Sequence, residues 1–381
     1  MNFYHCFGHA VTAWPSRTAL YTGQRPHATF ASLDTRARRL AAGLARLRLA
    51  RGDRVAIMMG NRCEYTEIML ACWAAGLCIV PINAKLHPRE FAFVIENSGA
   101  KACFTTSSLA ADLAAGLSGS ASRCELVCCD LPDYALLFAP EPMAVVDADF
   151  TDCAWLFYTS GTTGRPKGAT ITHRNLWFMS LGYIADAGPI DTRTHALMVA
   201  PQSHAAVLLL VAYLTRGAAC VVPESGGFDP AEMIPLINRF GGARFFAAPT
   251  MVKRFVGSHG HGDVAGPGSQ VVIRHMQRRA GGRTGVLDVD DRDALESERQ
   301  QRHLPANQML ALEVALRAVA VERGTDIGGT AGCVVERRRD GRLRQLLDRQ
   351  VGMAREWRHS DANNVNFLHV ASPFARLGFS L

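Results

Sequence analysis

The sequence predicts an α/β protein whose mainly parallel sheets are covered by helices, and three observations predict it. Strand-like and helix-like segments alternate from residue 19 to residue 106, as parallel strands joined by crossover helices require. A short apolar strand at Cys153 to Tyr158 runs into a loop rich in glycine and hydroxyl residues and then into a helix entry. With 381 residues, 48% hydrophobic and 20% charged, the chain is long enough for two or three domains and a large core.

The elements follow in order. Thr29 to Leu47 is rich in alanine, leucine and arginine with helical apolar spacing, Arg54 to Met59 is an apolar strand, and Cys63 to Gly76 is again helical. Leu77 to Asn83 reads as a strand ending in a turn, and Ala102 to Thr105 as another. Between them His87 to Asn97 is a helix, with Pro88 in its first turn and Gly99 just past its end. Ser107 to Asp152 is weakly periodic and reads as a loop-rich connection. After the Cys153–Tyr158 strand, Thr172 is placed to cap a helix that starts in Ile171-Thr-His-Arg-Asn-Leu-Trp. Ala196 to Pro201, Cys220 to Pro223 and Phe245 onward read as strands, Phe228-Asp-Pro230 as a helix start, and Gln308 to Val321 as an amphipathic helix.

Composition narrows the function classes. The longest apolar run, Ala205 to Leu214, is too short to cross a bilayer, and the N-terminus lacks the basic residues of a secretory signal. The expected location is the cytoplasm, without a transmembrane segment. The 11 cysteines form no Cys-x-x-Cys pair, and the cluster Cys124, Cys128, Cys129 has no histidine at zinc-ligand spacing. They read as reduced packing residues, and no metal ligand is assigned. A net charge of +7 suits anionic ligands. The arginine clusters of the last third are interspersed with Asp288, Asp290, Asp291, Asp293, Glu296 and Glu298, so no nucleic-acid partner is expected.

The most informative stretch is Tyr158-Thr-Ser-Gly-Thr-Thr-Gly-Arg-Pro-Lys-Gly168. Gly161, Gly164 and Gly168 allow positive φ and close backbone approach, so that successive N–H groups can face an anion. Thr159, Ser160, Thr162 and Thr163 add hydroxyl donors, and Lys167 adds a point charge. Hydrogen bonds to a charged group are worth roughly 1.5–3 kcal/mol each, so several together hold a polyphosphate against its hydration. The spacing is not that of a Walker A loop, because Arg165-Pro166 separates Gly164 from Lys167 and glycine follows the lysine. A strand, this loop and a following helix would suit phosphate at a helix N-terminus.

The string resembles the signature of the adenylate-forming superfamily, which includes acyl-CoA and aryl-CoA synthetases, luciferases and peptide-synthetase adenylation domains. Trp73-Ala-Ala-Gly-Leu-Cys-Ile-Val-Pro-Ile-Asn83 is similar to a second, structural segment of that family, and Pro201-Gln-Ser-His204 to its Pro-x-x-His segment. The resemblance implies the large N-terminal domain of the acyl-CoA synthetase/luciferase-like fold. It also implies ATP and Mg²⁺ as cofactors, CoA as the usual thiol, and a small-molecule carboxylate as partner. Lys167 and His204 are then the candidate catalytic residues, with Thr159, Ser160, Gly161, Thr162, Thr163, Gly164 and Lys167 around the phosphates and His204 beside the acyl group. A histidine merely hydrogen-bonded beneath an apolar helix is the competing reading of His204. Relatives often follow that histidine with glycines, whereas Ala205-Ala206-Val207 stands here.

The resemblance is continuous from about residue 15 to residue 257, so residues 1–257 are expected to be a partial AMP-dependent synthetase/ligase N-terminal domain. Past Gly257 no Tyr-Gly-x-Thr-Glu, Thr-Gly-Asp, hinge arginine or late lysine of the family is found. Residues 258–381 read as an anomalous arginine- and glycine-rich region, disordered or out of frame, with no intact small C-terminal domain. A frameshift, a fusion to an unrelated basic segment and a diverged continuation all remain open. By resemblance the function is ATP-dependent activation of a carboxylic acid, fatty acyl rather than an amino acid, to an acyl-adenylate and then a CoA thioester. The alternative is a remnant that binds nucleotide or acyl ligand without catalysis, because the family's catalytic lysine is not found in this chain.

Overall fold

A computed structural model describes residues 1–118, 123–159, 166–187, 190–241, 243–248, 250–251 and 254–255, and the backbone of four strands between residues 269 and 318. The chain divides into two units, Met1–Val321 and Glu322–Leu381, and every described residue lies in the first. In order, the elements begin with α1 (Tyr4–Ala13), β1 (Thr18–Thr22), β2 (Arg25–Thr29), α2 (Phe30–Gly43, continued by a tight turn to Leu47) and β3 (Arg54–Ile57). Next come α3 (Cys63–Ala74), β4 (Cys78–Pro81), α4 (Pro88–Ser98), β5 (Ala100–Thr105), α5 (Ser107–Leu117), β6 (Glu125–Cys128) and α6 (Pro132–Leu136). Then follow β7 (Cys153–Thr159), β8 (Lys167–Thr172), α7 (His173–Asp186), β9 (His195–Leu197), α8 (Ala205–Thr215), β10 (Ala219–Val222), α9 (Pro230–Phe240) and β11 (Ala243–Ala247). Four further strands are β12 (Ser269–His275), β13 (Gln277–Arg278), β14 (Thr284–Gly285) and β15 (Leu312–Ala318).

One sheet has six strands in the order β6-β5-β3-β4-β7-β8, parallel throughout except for the β7–β8 hairpin. The other has seven in the order β12-β15-β11-β9-β10-β1-β2, parallel from β11 to β1 and antiparallel at both margins. Because successive strand residues point to opposite faces, each strand feeds two cores. Val55 and Ile57 of β3 join the core that contains Phe30 and Leu33 of α2 and Trp73 of α3, while Ala56 joins Phe91, Val94 and Ile95 of α4. In the second sheet Cys220 and Val222 face that same shared core, and Val221 faces Met233, Leu236 and Ile237 of α9. The shared core therefore lies between the two sheets, with helices also on each outer face, which is the expected α/β architecture.

Helix boundaries follow local chemistry. Thr29 and Thr172 cap α2 and α7 with reciprocal side-chain bonds to Ser32 and Asn175. Asp229 caps α9, and α4 starts with Pro88 and ends at Gly99 in a left-handed conformation. Residues 107–152 are largely loop, as expected, with α5, β6 and α6 as short elements among them, and Leu113 is the one buried side chain of α5. One expectation fails. Within Gln308 to Val321 the chain forms strand β15 rather than a helix, paired antiparallel with β11 and β12. Leu312, Val314 and Leu316 alternate with Glu313, Ala315 and Arg317, and sheet pairing selects that two-residue period over the helical one. Apart from β12 to β15, the expectation of disorder for 258–381 concerns residues outside the described set.

Candidate active site

Strand β7 carries the site. Buried Trp155 anchors its middle and donates its register to β4 through the pair Ile79↔Trp155. Its far end turns back as β8, with Tyr158 opposite Gly168 and Thr159 opposite Lys167. Thr159 and Lys167 thus stand face to face, exposed, at the mouth of the loop between the two strands. Ser160, Gly161, Thr162, Thr163 and Gly164 lie outside the described residues.

Two parts of the sequence reading change here. Gly168 is not a positive-φ residue. It lies in strand β8 under the ring of Tyr158, whose carbons would stand 2.8–3.2 Å from any Cβ placed there. Its lack of a side chain makes room for that ring, and the Tyr158 hydroxyl goes on to donate to Asn97 Oδ1 at 2.7 Å. The loop also does not open directly into a helix. All of β8 intervenes, and the first turn of α7 is satisfied by Thr172 and Asn175. The N-terminus of α7 therefore does not adjoin this loop.

His204 is brought to the same strand. It precedes α8, its Nδ1 lies 2.9 Å from Ser203 Oγ, and its ring stands edge-on to Phe157 at 6.0 Å between centroids. Phe157 is two residues before Thr159, so it shares that residue's side of the strand. Burial holds the His204 imidazole below its ordinary pKa, which leaves it neutral at pH 7. The apolar helix following it and the aromatic contact give it surroundings of low polarity.

The residues that fix this turn were missed in the sequence. Asn61, in the loop after β3, donates through Nδ2 to the carbonyls of Met198 and Ala200 at 2.8 and 2.9 Å and accepts from the Gln202 N–H at 2.7 Å. Gln202 Oε1 in turn accepts from the Arg62 N–H at 2.9 Å. These bonds tie the loops at the carboxyl ends of β3 and β9 together, the end at which open parallel sheets bind ligands. The available signal was Asn61 in a Gly-Asn-Arg turn between strand and helix. Among the described residues no three His, Cys, Asp or Glu side chains converge.

The chain belongs to the AMP-binding enzyme family, whose model matches residues 7–303. It is 32% identical over 251 residues to feruloyl-CoA synthase from Amycolatopsis sp., covering 63% of this chain and 49% of that protein. It is 29% identical over 216 residues to the long-chain-fatty-acid–CoA ligase FadD13 of Mycobacterium tuberculosis (strain H37Rv), covering 55% and 42%. Among solved structures, ATP-bound MatB from Rhodopseudomonas palustris is similar at 27% identity and a TM-score of 0.58 over 67% of this chain and 51% of that one. The inhibitor-bound N-terminal domain of FACL13 from Mycobacterium tuberculosis shares the fold, with 24% identity, a TM-score of 0.61 and coverage of 70% and 67%. The chain spans about half the length of the curated relatives it matches.

Proposed function

We propose that residues 1–257 form the nucleotide- and acid-binding part of an AMP-forming acid–thiol ligase. In this reading a carboxylate attacks the α-phosphorus of ATP, pyrophosphate leaves, and the thiol of CoA then displaces AMP from the acyl-adenylate. The observation that carries it is the joint placement of Thr159, Lys167 and His204 around the end of β7 in a chain of this family. Thr159 and Lys167, with the loop they bracket, would grip the β- and γ-phosphates. Carboxylate and triphosphate repel, so positioning and neutralised oxygen charge are what the site must supply. His204 and Phe157 would border the acyl group, and their apolar surroundings favour an apolar acid, fatty acyl before amino acid. The feruloyl and long-chain relatives leave both aromatic and aliphatic acids to be compared.

Titration of the purified chain with ATP tests this reading. Lys167→Ala should weaken ATP binding about 10- to 100-fold, the loss of one charged hydrogen-bonding group, with an unchanged circular dichroism spectrum. Equal affinity in the two proteins would remove the phosphate role. Equilibrium binding of ferulate and of long-chain fatty acids to the ATP-loaded chain then compares the acids.

A further inference from the structure

The mechanism makes no use of a pair of thiols at the base of the strand that leads to the site. Cys78 opens β4 and Cys153 opens β7, and their Sγ atoms lie 2.8 Å apart. The two strands are parallel neighbours in register through Ile79 and Trp155, so both sulfurs are held on a rigid sheet. Among the described residues this is the one pair of thiols in hydrogen-bonding contact with each other. Cys129 meets Met59 Sδ, Cys63 meets Thr22, and Cys103 meets a carbonyl.

The two sulfurs are not equivalent. Cys78 is buried, whereas Cys153 is partly exposed. The Cys78 thiol beside it holds Cys153 below the ordinary thiol range against its partial burial, and the Arg54 guanidinium acts in the same direction. Arg54 is the β3 residue in register with Cys78. The bond to Cys153 and then burial push Cys78 upward, so it keeps its proton. A partly exposed thiol within contact of a buried one on a neighbouring strand is the arrangement of an attacking and a resolving cysteine.

We propose that Cys78 and Cys153 are a reversible oxidative modification site, closed to a disulfide by peroxides and reopened by dithiols. The Cys153 thiolate attacks the distal oxygen of hydrogen peroxide or an alkyl hydroperoxide. The O–O bond breaks, hydroxide or alkoxide leaves and takes up a proton, and Cys153 becomes a sulfenic acid, oxidised by two electrons. The Cys78 sulfur then attacks the Cys153 sulfur, the S–O bond breaks, and the Cys78 proton leaves with the hydroxide as water. Reduction by a dithiol returns both thiols and leaves the reductant as its own disulfide.

The consequence is mechanical. The β7–β8 hairpin is bonded to the rest of its sheet through β4, with β8 outermost. A bond between Cys78 and Cys153 staples that hairpin down and closes a long loop of chain, separated by 75 positions, which restricts the unfolded state. The proposal is independent of the ligase reading, because its readout is covalent chemistry in the chain itself.

The full chain is treated with stoichiometric hydrogen peroxide, alkylated, digested without reduction and sequenced by tandem mass spectrometry. The expected product is a linked peptide pair joined through Cys78 and Cys153, two of the 11 thiols lost, and full reversal by dithiothreitol. The melting temperature of the oxidised protein should rise by about 5 °C or more. In Cys78→Ser, dimedone should trap a sulfenic acid on Cys153. Peroxide that leaves both thiols alkylatable, or that carries Cys153 to sulfinic acid in the wild-type chain without a link, overturns the proposal. Since the wild-type experiment decides, a poorly folding variant does not obscure the result.

Discussion

At the scale of single residues, the interior is set by polar groups that have found partners. Glu67, 1% exposed, takes Arg36 Nε at 2.6 Å and the Tyr134 hydroxyl at 2.8 Å, joining α2, α3 and α6. His173 is equally buried, and its Nδ1 accepts the Phe3 N–H at 3.1 Å, a bond that requires an unprotonated nitrogen. Burial lowers its pKa to about 4, with Asp152 opposing and the N-terminal ammonium and Arg51 assisting. The folded value lies below the unfolded one, so this stability is complete above pH ~6.5 and is lost as pH falls toward ~4. The loss should reach at most about 3 kcal/mol. Urea denaturation between pH 7.5 and 4 measures it, and His173→Asn, which retains an acceptor, should flatten the slope. An unchanged slope would assign the acid sensitivity to other groups.

At the scale of elements, Gly99 shows how a turn enforces its residue. Its φ is +63°, and a Cβ there would stand 2.6 Å from Arg54 Nη2, while Arg54 bonds the carbonyls of Ser98 and Gly99 at 2.8 and 3.2 Å. Gly99→Ala should destabilise the protein by about 1–2 kcal/mol, against little change for Gly227→Ala, which faces open space. Paired denaturant curves decide between them. Gly99 was readable because a helix stop, a proline start and an apolar stripe agreed over residues 87–99. Thr172 was readable for the same reason. Strand β15 was not, since a short apolar run fits both periods until a neighbouring edge selects one. The fate of the loop after β7 was also hidden, because hairpin pairing of Tyr158 with Gly168 is a non-local choice that leaves no period. In the candidate site, Lys167 and His204 were legible from motif spacing. Asn61, Gln202 and Phe157 were not, since their roles arise from loops brought together by the two sheets.

At the scale of the molecule, the shared core between the sheets should govern global unfolding. Hydrogen exchange should be slowest at the buried residues of β3, β4 and β10 and fastest in β2 and β8, which are margins of their sheets and largely exposed. Uniform exchange across β4 and β8 would contradict that ranking. The second sheet has one further consequence. Strand β1 sits between β2 and β10, with Leu20 beside Cys220, so a strand made early completes its parallel pairing with one made some 200 residues later. At about 5–20 residues per second of synthesis, β1 waits roughly 10–40 s on the ribosome for its partner. The six-stranded sheet, drawn from residues 54–172, has already emerged by then. The nascent chain therefore carries β1 paired with β2 on one side and open on the other for much of its translation, an edge exposed to pairing with other chains until β10 is made.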